Sequence, residues 1–209
     1  KRFLGVTVPA QTTANPAASL KAALDRLASH PNVAPFLGKQ LIQRLVTANP
    51  SEQYVARVSA AFDQSGGNLG AMVYAVLMDP EARNMGAAMA SATFGKPREP
   101  VLKLSAFLRA YGATSTTGAY LMSYLDDPAY ALGQSPLRSA TVFNFFRPGY
   151  VLPGSSSAAS RLVTPEFQLM DELSVAGYAN FMSAEAVTEM ARLGVVVDLQ
   201  PAWLFLDAP

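Results

Sequence analysis

Apolar residues recur at intervals of three or four along most of residues 1–112, and this periodicity predicts a series of amphipathic helices. The Asn15–Pro16 pair is typical of an N-cap followed by the first helical position, so a helix should begin there and end near Ser29. Its predicted apolar stripe contains Leu20, Ala23, Leu24 and Leu27. The other predicted helices cover about 32–46, Ser51 to the Gly66–Gly67 break, 69–78 with a short continuation at 79–81, and Glu99–Pro100 to Tyr111.

The second half of the chain has a weaker helical pattern. Residues 84–97 are rich in small side chains and predict a linker, whereas residues 113–124 fit either a helix or a loop. The segment PGSSSAAS is typical of a flexible connection. A helix is predicted from Thr164 to about Met182, and Ser183 caps another that ends at Gly194. Since the chain contains neither an internal repeat nor a βαβ pattern, we predict an all-α fold.

We expect this fold to be an irregular multi-helix bundle, formed by a single α-helical domain over residues 1–209. It would consist of a helical core (1–112), a loop-rich region (113–163) and C-terminal helices (164–209). The chain begins at Lys1 without a methionine, and it ends on the strongly apolar segment VVVDLQPAWLFLDAP. Both ends therefore predict a fragment of a longer protein, whose missing parts would cover the C-terminal segment.

The segment Leu125–Tyr150 has the most unusual composition in the chain. It is too rich in proline, glycine and aromatic residues for one helix, and too apolar for a disordered linker. We predict a long ordered loop, whose buried polar groups must be satisfied by hydrogen bonds. Three phenylalanines near its end either anchor it in the core or stack on a ligand.

Composition and charge exclude several classes of protein. The formal net charge of +1 predicts neither nucleic-acid nor membrane-surface binding. Residues 1–150 carry 14 Lys and Arg against 8 Asp and Glu, whereas residues 151–209 carry 2 against 7, so the two parts could attract each other or face different partners. The absence of cysteine excludes disulfides and thiolate metal sites. The longest apolar run, residues 71–78, is far shorter than the roughly 20 residues of a membrane span.

Six segments occur in a fixed order along the chain: HPNVAPFLGKQLIQRLV, SEQYVARVSAAF, AVLMDPEARN, FGKPREPVLKLSAFLRAYGA, LDDPAYALGQSPLRSATVFNFFRPGYVLPG and LVTPEFQLMDELSVAGYANFM. Together they resemble a bacterial family, the domain-of-unknown-function family numbered eighteen hundred. The resemblance covers roughly residues 1–183. Because family members are similar to each other over about twice this length, it implies that this chain is their C-terminal portion.

The resemblance also implies an exported bacterial protein, located in the periplasm or outside the cell. A frequent gene neighbour in this family is a sulfatase- or phosphatase-like protein, which is therefore a candidate partner. The resemblance supplies no reaction and no catalytic residue. The chain departs from the family at NMGAAMASAT, where a more acidic connector is expected.

His30, the single histidine, is the first candidate for catalysis. A general base or metal ligand would need an orienting partner and a nearby acid. Its position between two predicted helices, directly before Pro31, suits a helix cap instead. One histidine without cysteine argues against zinc, which prefers several nitrogen or sulfur ligands. We predict no metal and no cofactor, although the sequence leaves open a site in which carboxylates bind a hard cation.

Arg44 falls on the apolar stripe of its predicted helix, four residues after Gln40. A buried guanidinium must meet a carboxylate or other acceptors, because a buried charge left unpaired costs several kcal/mol. Its candidate partners are Glu99, Asp126 and Asp127. Such a pair would either lock the long loop to the bundle or leave an arginine that binds anions in a cleft.

The remaining candidate residues lie in or beside the long loop. Asp126 and Asp127 could hold a metal, but Asp127 followed by Pro128 is also typical of a helix N-cap. The Glu99 carboxylate, near the start of a predicted helix, would interact favourably with the positive end of the helix dipole. The candidates for ligand binding are Arg98, Gln134, Arg138, Asn144, Arg147 and Tyr150.

Three functional hypotheses follow. The first is a non-catalytic scaffold or binding module of the cell envelope or extracellular space, acting with a protein partner or with missing parts of its own chain. The second is a hydrolase of an envelope or extracellular polymer, which requires His30, Arg44, Glu99 and the Asp126–Arg147 loop to converge on an open pocket. The third is carbohydrate binding, which requires Tyr130, Phe146 or Tyr150 to lie on the surface.

Overall fold

A computed structural model describes residues 1–10, 12–120, 125–142, 144–183, 188, 190–192 and 194–196. The helices are α1 (Pro16–Ala28), α2 (Val33–Leu45), α3 (Glu52–Gln64), α4 (Leu69–Met78), α5 (Pro80–Arg83), α6 (Met85–Ala90), α7 (Pro100–Ala110), α8 (Ser156–Ala159), a 3-10 helix (Pro165–Leu169) and α9 (Glu172–Phe181). The strands form two antiparallel pairs, β1 (Arg2–Phe3) with β2 (Val6–Thr7) and β3 (Thr114–Ser115) with β4 (Val195–Val196). The prediction of an all-α, irregular multi-helix fold is confirmed.

The chain divides into two compact units, Lys1–Gly95 and Lys96–Pro209. Each unit has its own cluster of buried apolar side chains. The prediction of one domain over residues 1–209 stays a prediction.

The core of the first unit lies between α2, α3 and α4. Its fully buried side chains are Ile42, Tyr54, Val58, Met72 and Val76. Gly38 allows α2 to approach α3 closely, because a Cβ atom at this position would lie 3.2 Å from Cγ1 of Val58. The three helices therefore pack through one continuous apolar interface.

Short polar side chains start most helices of this unit. The side chain of the N-cap residue accepts a hydrogen bond from a backbone N–H of the first turn, which would otherwise have no partner. This arrangement occurs at Asn15, Ser51, Asn68, Asp79 and Asn84. The predicted helix starts at Asn15, Ser51 and Asp79 are thus confirmed.

The core of the second unit is built from helix and loop residues together. Its buried apolar side chains are Leu104, Leu125, Leu132, Met190 and Val195. Leu125 also fixes the loop through its carbonyl oxygen, which accepts hydrogen bonds from the backbone N–H groups of Leu132 and Gln134, each at 3.1 Å. The long loop is therefore ordered by its backbone as well as by its apolar residues.

Two segments predicted as connections contain short helices. Residues 84–97 include α6, because Asn84 caps the run of alanines that follows. The segment PGSSSAAS includes α8, capped by Ser155. In both cases a cap and a few alanines are sufficient for a turn or two of helix.

The prediction of one continuous helix from Thr164 to Met182 was wrong. A 3-10 helix occupies its first part, and α9 begins only at Glu172. Asp171 and Ser174 cause the restart, since they form a reciprocal capping box at the N-terminus of α9. The backbone hydrogen bond from Ser174 lowers the pKa of the Asp171 carboxyl group.

Two other predicted segments are only partly described. Residues 113–120 contain β3 and, within that described range, no helix, and residues 121–124 lie outside the described residues. Half of the residues of the helix predicted from Ser183 to Gly194 also lie outside them, as does Trp203 of the apolar C-terminal segment.

Candidate functional site

The apolar stripe of α1 faces solvent instead of a core. Leu20 is 61 % exposed, Leu24 54 % and Leu27 46 %. None of the described residues Pro16–Ala28 that form α1 is fully buried. An amphipathic helix on a protein surface ordinarily turns such a stripe inward, so this orientation is unusual.

The β1–β2 hairpin and the start of α2 border the end of this stripe. Arg26 in α1 donates a hydrogen bond from Nε to the carbonyl oxygen of Leu4, at 2.8 Å, and this bond holds the hairpin turn against α1. The result is an open groove of about 270 Å³. It is lined by Leu4, Leu27, His30, Asn32, Val33 and Phe36.

Most of the groove wall is apolar, and much of it is accessible. Phe36 is 53 % exposed and Leu4 is 46 % exposed, while Val33 is half-buried. Surfaces of this kind are typical of protein-binding grooves.

His30 forms the polar part of the groove. Its Nδ1 atom accepts a hydrogen bond from the backbone N–H of Asn32, at 3.2 Å, so the ring stabilises the turn between α1 and α2. Among the described residues, those that line the groove include no carboxylate. The orienting acid that a catalytic histidine requires is therefore not part of this lining.

Arg44 lies in the last turn of α2 and is half-buried. It belongs to the first unit, whereas Glu99, Asp126 and Asp127 belong to the second. Its pairing with one of these acids stays a prediction. The same holds for the convergence of His30 with the loop.

Glu99 and Gln134 form the best-defined polar contact of the second unit. Both residues are buried. The Gln134 amide donates from Nε2 to Oε2 of Glu99 at 2.5 Å, and its Oε1 accepts from the backbone N–H of Val101 at 3.2 Å. Gln134 thereby ties the long loop to the first turn of α7, where a backbone N–H needs a partner.

The two adjacent aspartates make different contacts. Asp126 accepts a hydrogen bond from Nε of Arg138 at 3.0 Å, in an ion pair near the surface. Asp127 accepts from the backbone N–H of Ala129 at 2.8 Å and caps a turn. The N-cap interpretation of Asp127 therefore holds only for a turn, since the described residues 125–142 contain no helix. The two carboxylates thus bond to separate groups and do not form one site.

The other predicted ligand-binding residues are spread over the second unit. Arg98 and Arg147 are exposed, whereas Asn144 and Tyr150 are half-buried. Asn144 adopts a left-handed conformation (φ 72°), as asparagine readily does, and pairs with Thr141.

The aromatic residues of the loop divide into an anchor and a surface group. Phe146 is buried, whereas Tyr130 is 79 % exposed. Phe143 lies outside the described residues. Sugar binding required Tyr130, Phe146 or Tyr150 to lie on the surface; Tyr130 meets this condition most clearly, and Phe146 does not meet it.

The amino-acid sequence matches the model of the family described as Protein of unknown function (DUF1800), over residues 1–202. The chain belongs to this family. The resemblance of the six sequence segments is confirmed, and the match extends beyond residue 183. Neither the curated proteins nor the solved structures contain a significant match to the chain.

Three contacts of charged side chains in this family member were not predicted from the sequence. Arg57 binds both carboxylate oxygens of Asp79, at 2.7 and 2.8 Å, and Glu81 accepts from the Ser51 hydroxyl. Lys96 forms an ion pair with Glu166 at 2.8 Å, with 11 % and 1 % of the side chains exposed. Each joins residues far apart in sequence, so helical spacing gives no sign of them.

The described part of the chain has neither a cluster of metal-ligand residues nor a helix suited to spanning a membrane. Within it, no three or more histidine, aspartate and glutamate residues are grouped so that they could hold a metal ion. No helix in the described ranges is long and apolar enough to cross a membrane.

Proposed function

We propose that the protein is a non-catalytic binding module, which holds a helix of a partner protein against α1 and in the adjoining groove. The observation that supports this proposal is the outward orientation of Leu20, Leu24 and Leu27. A helix of 13 residues, such as α1, is only marginally stable unless its apolar face is packed. A bound partner would supply that packing.

The spacing of the three leucines favours a helix as the partner. They stand at positions i, i+4 and i+7, which is the spacing of the seam along which two helices pack side by side. The groove at the end of this seam, between Leu27 and Phe36, has room for an apolar side chain of the partner. Binding of an amphipathic helix in an apolar groove is a recurrent mode of protein recognition.

The proposal includes an exported location, in the periplasm or the extracellular space, as the family resemblance implies. The phosphatase- or sulfatase-like protein encoded nearby in related bacteria is the first natural partner to test.

The hydrolase hypothesis has less support among the described contacts. Glu99, Asp126 and Asp127 each bond to a neighbouring side chain or backbone group that fixes local structure. His30 bonds to the turn that follows it. The groove beside His30 is mainly apolar and therefore suits a protein ligand better than a polar polymer.

Binding of a designed helix tests the proposal. The probe is a fluorescently labelled peptide of about three heptads, with leucine at the a and d positions and glutamine elsewhere. We expect it to bind the purified chain with a measurable rise in anisotropy. Leu24→Gln and Leu27→Gln should each weaken binding severalfold, because leucine side chains of the seam are lost.

Leu77→Gln is the matched control, because Leu77 in α4 is 46 % exposed, as Leu27 is, but does not line the groove. It should leave binding unchanged. Absence of binding, or equal effects of all three substitutions, would overturn the proposal. Light scattering provides a second test, since it measures whether the chain forms a dimer. A dimer that dissociates on the substitution Leu24→Gln would show that a second copy of the chain occupies the seam, and it would also overturn the proposal.

A further inference from the structure

We infer that the partner helix carries acidic residues beside its apolar stripe. This inference rests on the proposed function and adds the chemistry of the partner. The basis is the distribution of charge in the elements that surround the groove. Residues 1–45, which form the hairpin, α1 and α2, contain six Lys and Arg and a single acid, Asp25.

Exposed cations are placed beside the groove and the leucine seam. Lys39 is exposed and follows Phe36 by three positions in α2, so it stands one turn further along the same side of the helix. Lys21 directly follows Leu20 in α1, and Arg2 is exposed in β1, two residues before Leu4 of the groove wall. A helix lying along the seam would therefore have positive charge on its flanks.

Asp25, the single acid of residues 1–45, does not neutralise their positive charge. Asp25 pairs with Lys21 at 2.7 Å, but 62 % and 76 % of the two side chains are exposed. Exposed pairs of this kind contribute little and exchange readily with water or another partner. An acidic helix would find additional cations to pair with, whereas a basic helix would be repelled.

The shape of the surface favours a protein helix over an anionic membrane, although both would be attracted by positive charge. Membrane-surface binding requires apolar side chains that protrude into the headgroup region. Here Leu27, Phe36 and Leu4 form the wall of a concave groove. Such a groove can receive an apolar side chain inserted by a partner helix.

Three peptides that share one leucine stripe test the inference, with glutamate, glutamine or lysine at the flanking positions. We expect the glutamate peptide to bind the whole chain about tenfold more tightly than the glutamine peptide at low salt, and the lysine peptide to bind most weakly. The advantage of the glutamate peptide should decrease as salt is raised, since exposed charges are screened.

Charge reversal provides the matched variants. Lys39→Glu should weaken binding of the glutamate peptide severalfold and leave the glutamine peptide almost unaffected. Arg83→Glu changes the net charge equally, but Arg83 lies at the end of α5, outside the hairpin, α1 and α2, so it should have little effect. Equal effects of the two substitutions would overturn the inference.

The outcomes separate the inference from the proposed function. Equal binding of all three peptides, with sensitivity to Leu24→Gln, would overturn the acidic partner and leave the helix-binding groove standing. Binding of none would overturn both. Binding to vesicles of phosphatidylglycerol and phosphatidylcholine, without binding to any peptide, would also overturn both and identify a membrane surface as the ligand.

Discussion

The backbone of Gly177 in α9 lies directly against the carbonyl group of Pro128 in the long loop. A Cβ atom at position 177 would overlap the Pro128 oxygen and would approach the carbonyl carbon of Ala129 to 2.9 Å. The obstructing atoms belong to the backbone, so no side-chain rotation can relieve the overlap. Glycine is therefore required here by the packing of the loop on the helix.

Gly177→Ala should destabilise the protein by about 1–3 kcal/mol, because the loop and α9 must move apart. Urea unfolding measures the change. Gly86→Ala is the control: the nearest atom to its added Cβ would be 3.5 Å away, an ordinary contact, and alanine favours the helical conformation of α6. Gly86→Ala should be neutral or slightly stabilising. Equal stability of the two variants would contradict the packing argument.

Gln134→Ala should also lower stability, by about 2–4 kcal/mol. The substitution removes a hydrogen bond to the buried Glu99 carboxylate and another to the backbone N–H of Val101. Gln168→Ala is a suitable comparison, since exposed Gln168 accepts one backbone hydrogen bond from Arg147 at 2.9 Å. Its loss should cost below about 1 kcal/mol. Similar unfolding midpoints for both variants would show that the buried Gln134 contacts stabilise the protein no more than the exposed Gln168 contact does.

The helices of the first unit could be predicted well because their signals are local. The caps at Asn15 and Ser51 act within one turn, and the apolar spacing sets the buried faces of α3 and α4. In the second unit, the apolar pattern continues without a break and predicts one long helix. The capping box of Asp171 and Ser174 lies within this pattern and starts a new helix there.

The candidate site was less predictable than the helices. The spacing of Leu20, Leu24 and Leu27 indicates an apolar stripe, but periodicity cannot tell whether a stripe faces a core or solvent. The groove beside Leu27 also depends on a long-range contact, because the hydrogen bond from Arg26 to Leu4, 22 residues away, holds one of its walls in place. The loop candidates Glu99 and Asp126 were found through their residue types, whereas their partners, Gln134 and Arg138, depend on how the loop folds back.

Substitutions of Lys96 and Glu166 measure how strongly a buried ion pair stabilises the second unit. Lys96→Met should destabilise the protein by about 3–5 kcal/mol, because the Glu166 carboxylate would stay buried without its lysine. The double variant Lys96→Met/Glu166→Met should recover at least half of this loss, since no buried charge is left uncompensated. Thermal unfolding of the single and double variants measures the coupling. A double variant as unstable as the sum of the single variants would show that the two charges are not coupled.

The contact of Arg57 with Asp79 predicts how stability depends on pH. Burial by itself raises the pKa of Asp79, but the hydrogen bonds from Arg57 and from the backbone N–H of Glu81 outweigh it, and the pKa is lowered. Its contribution should therefore be complete above the unfolded pKa of about 3.9, and should be lost as the pH falls through the lower folded value. Asp79→Asn, which keeps a capping side chain, should cost about 1–3 kcal/mol at pH 7. In urea unfolding at pH 7 and pH 2, the difference from wild type should shrink at the lower pH, and a constant difference would rule out this linkage.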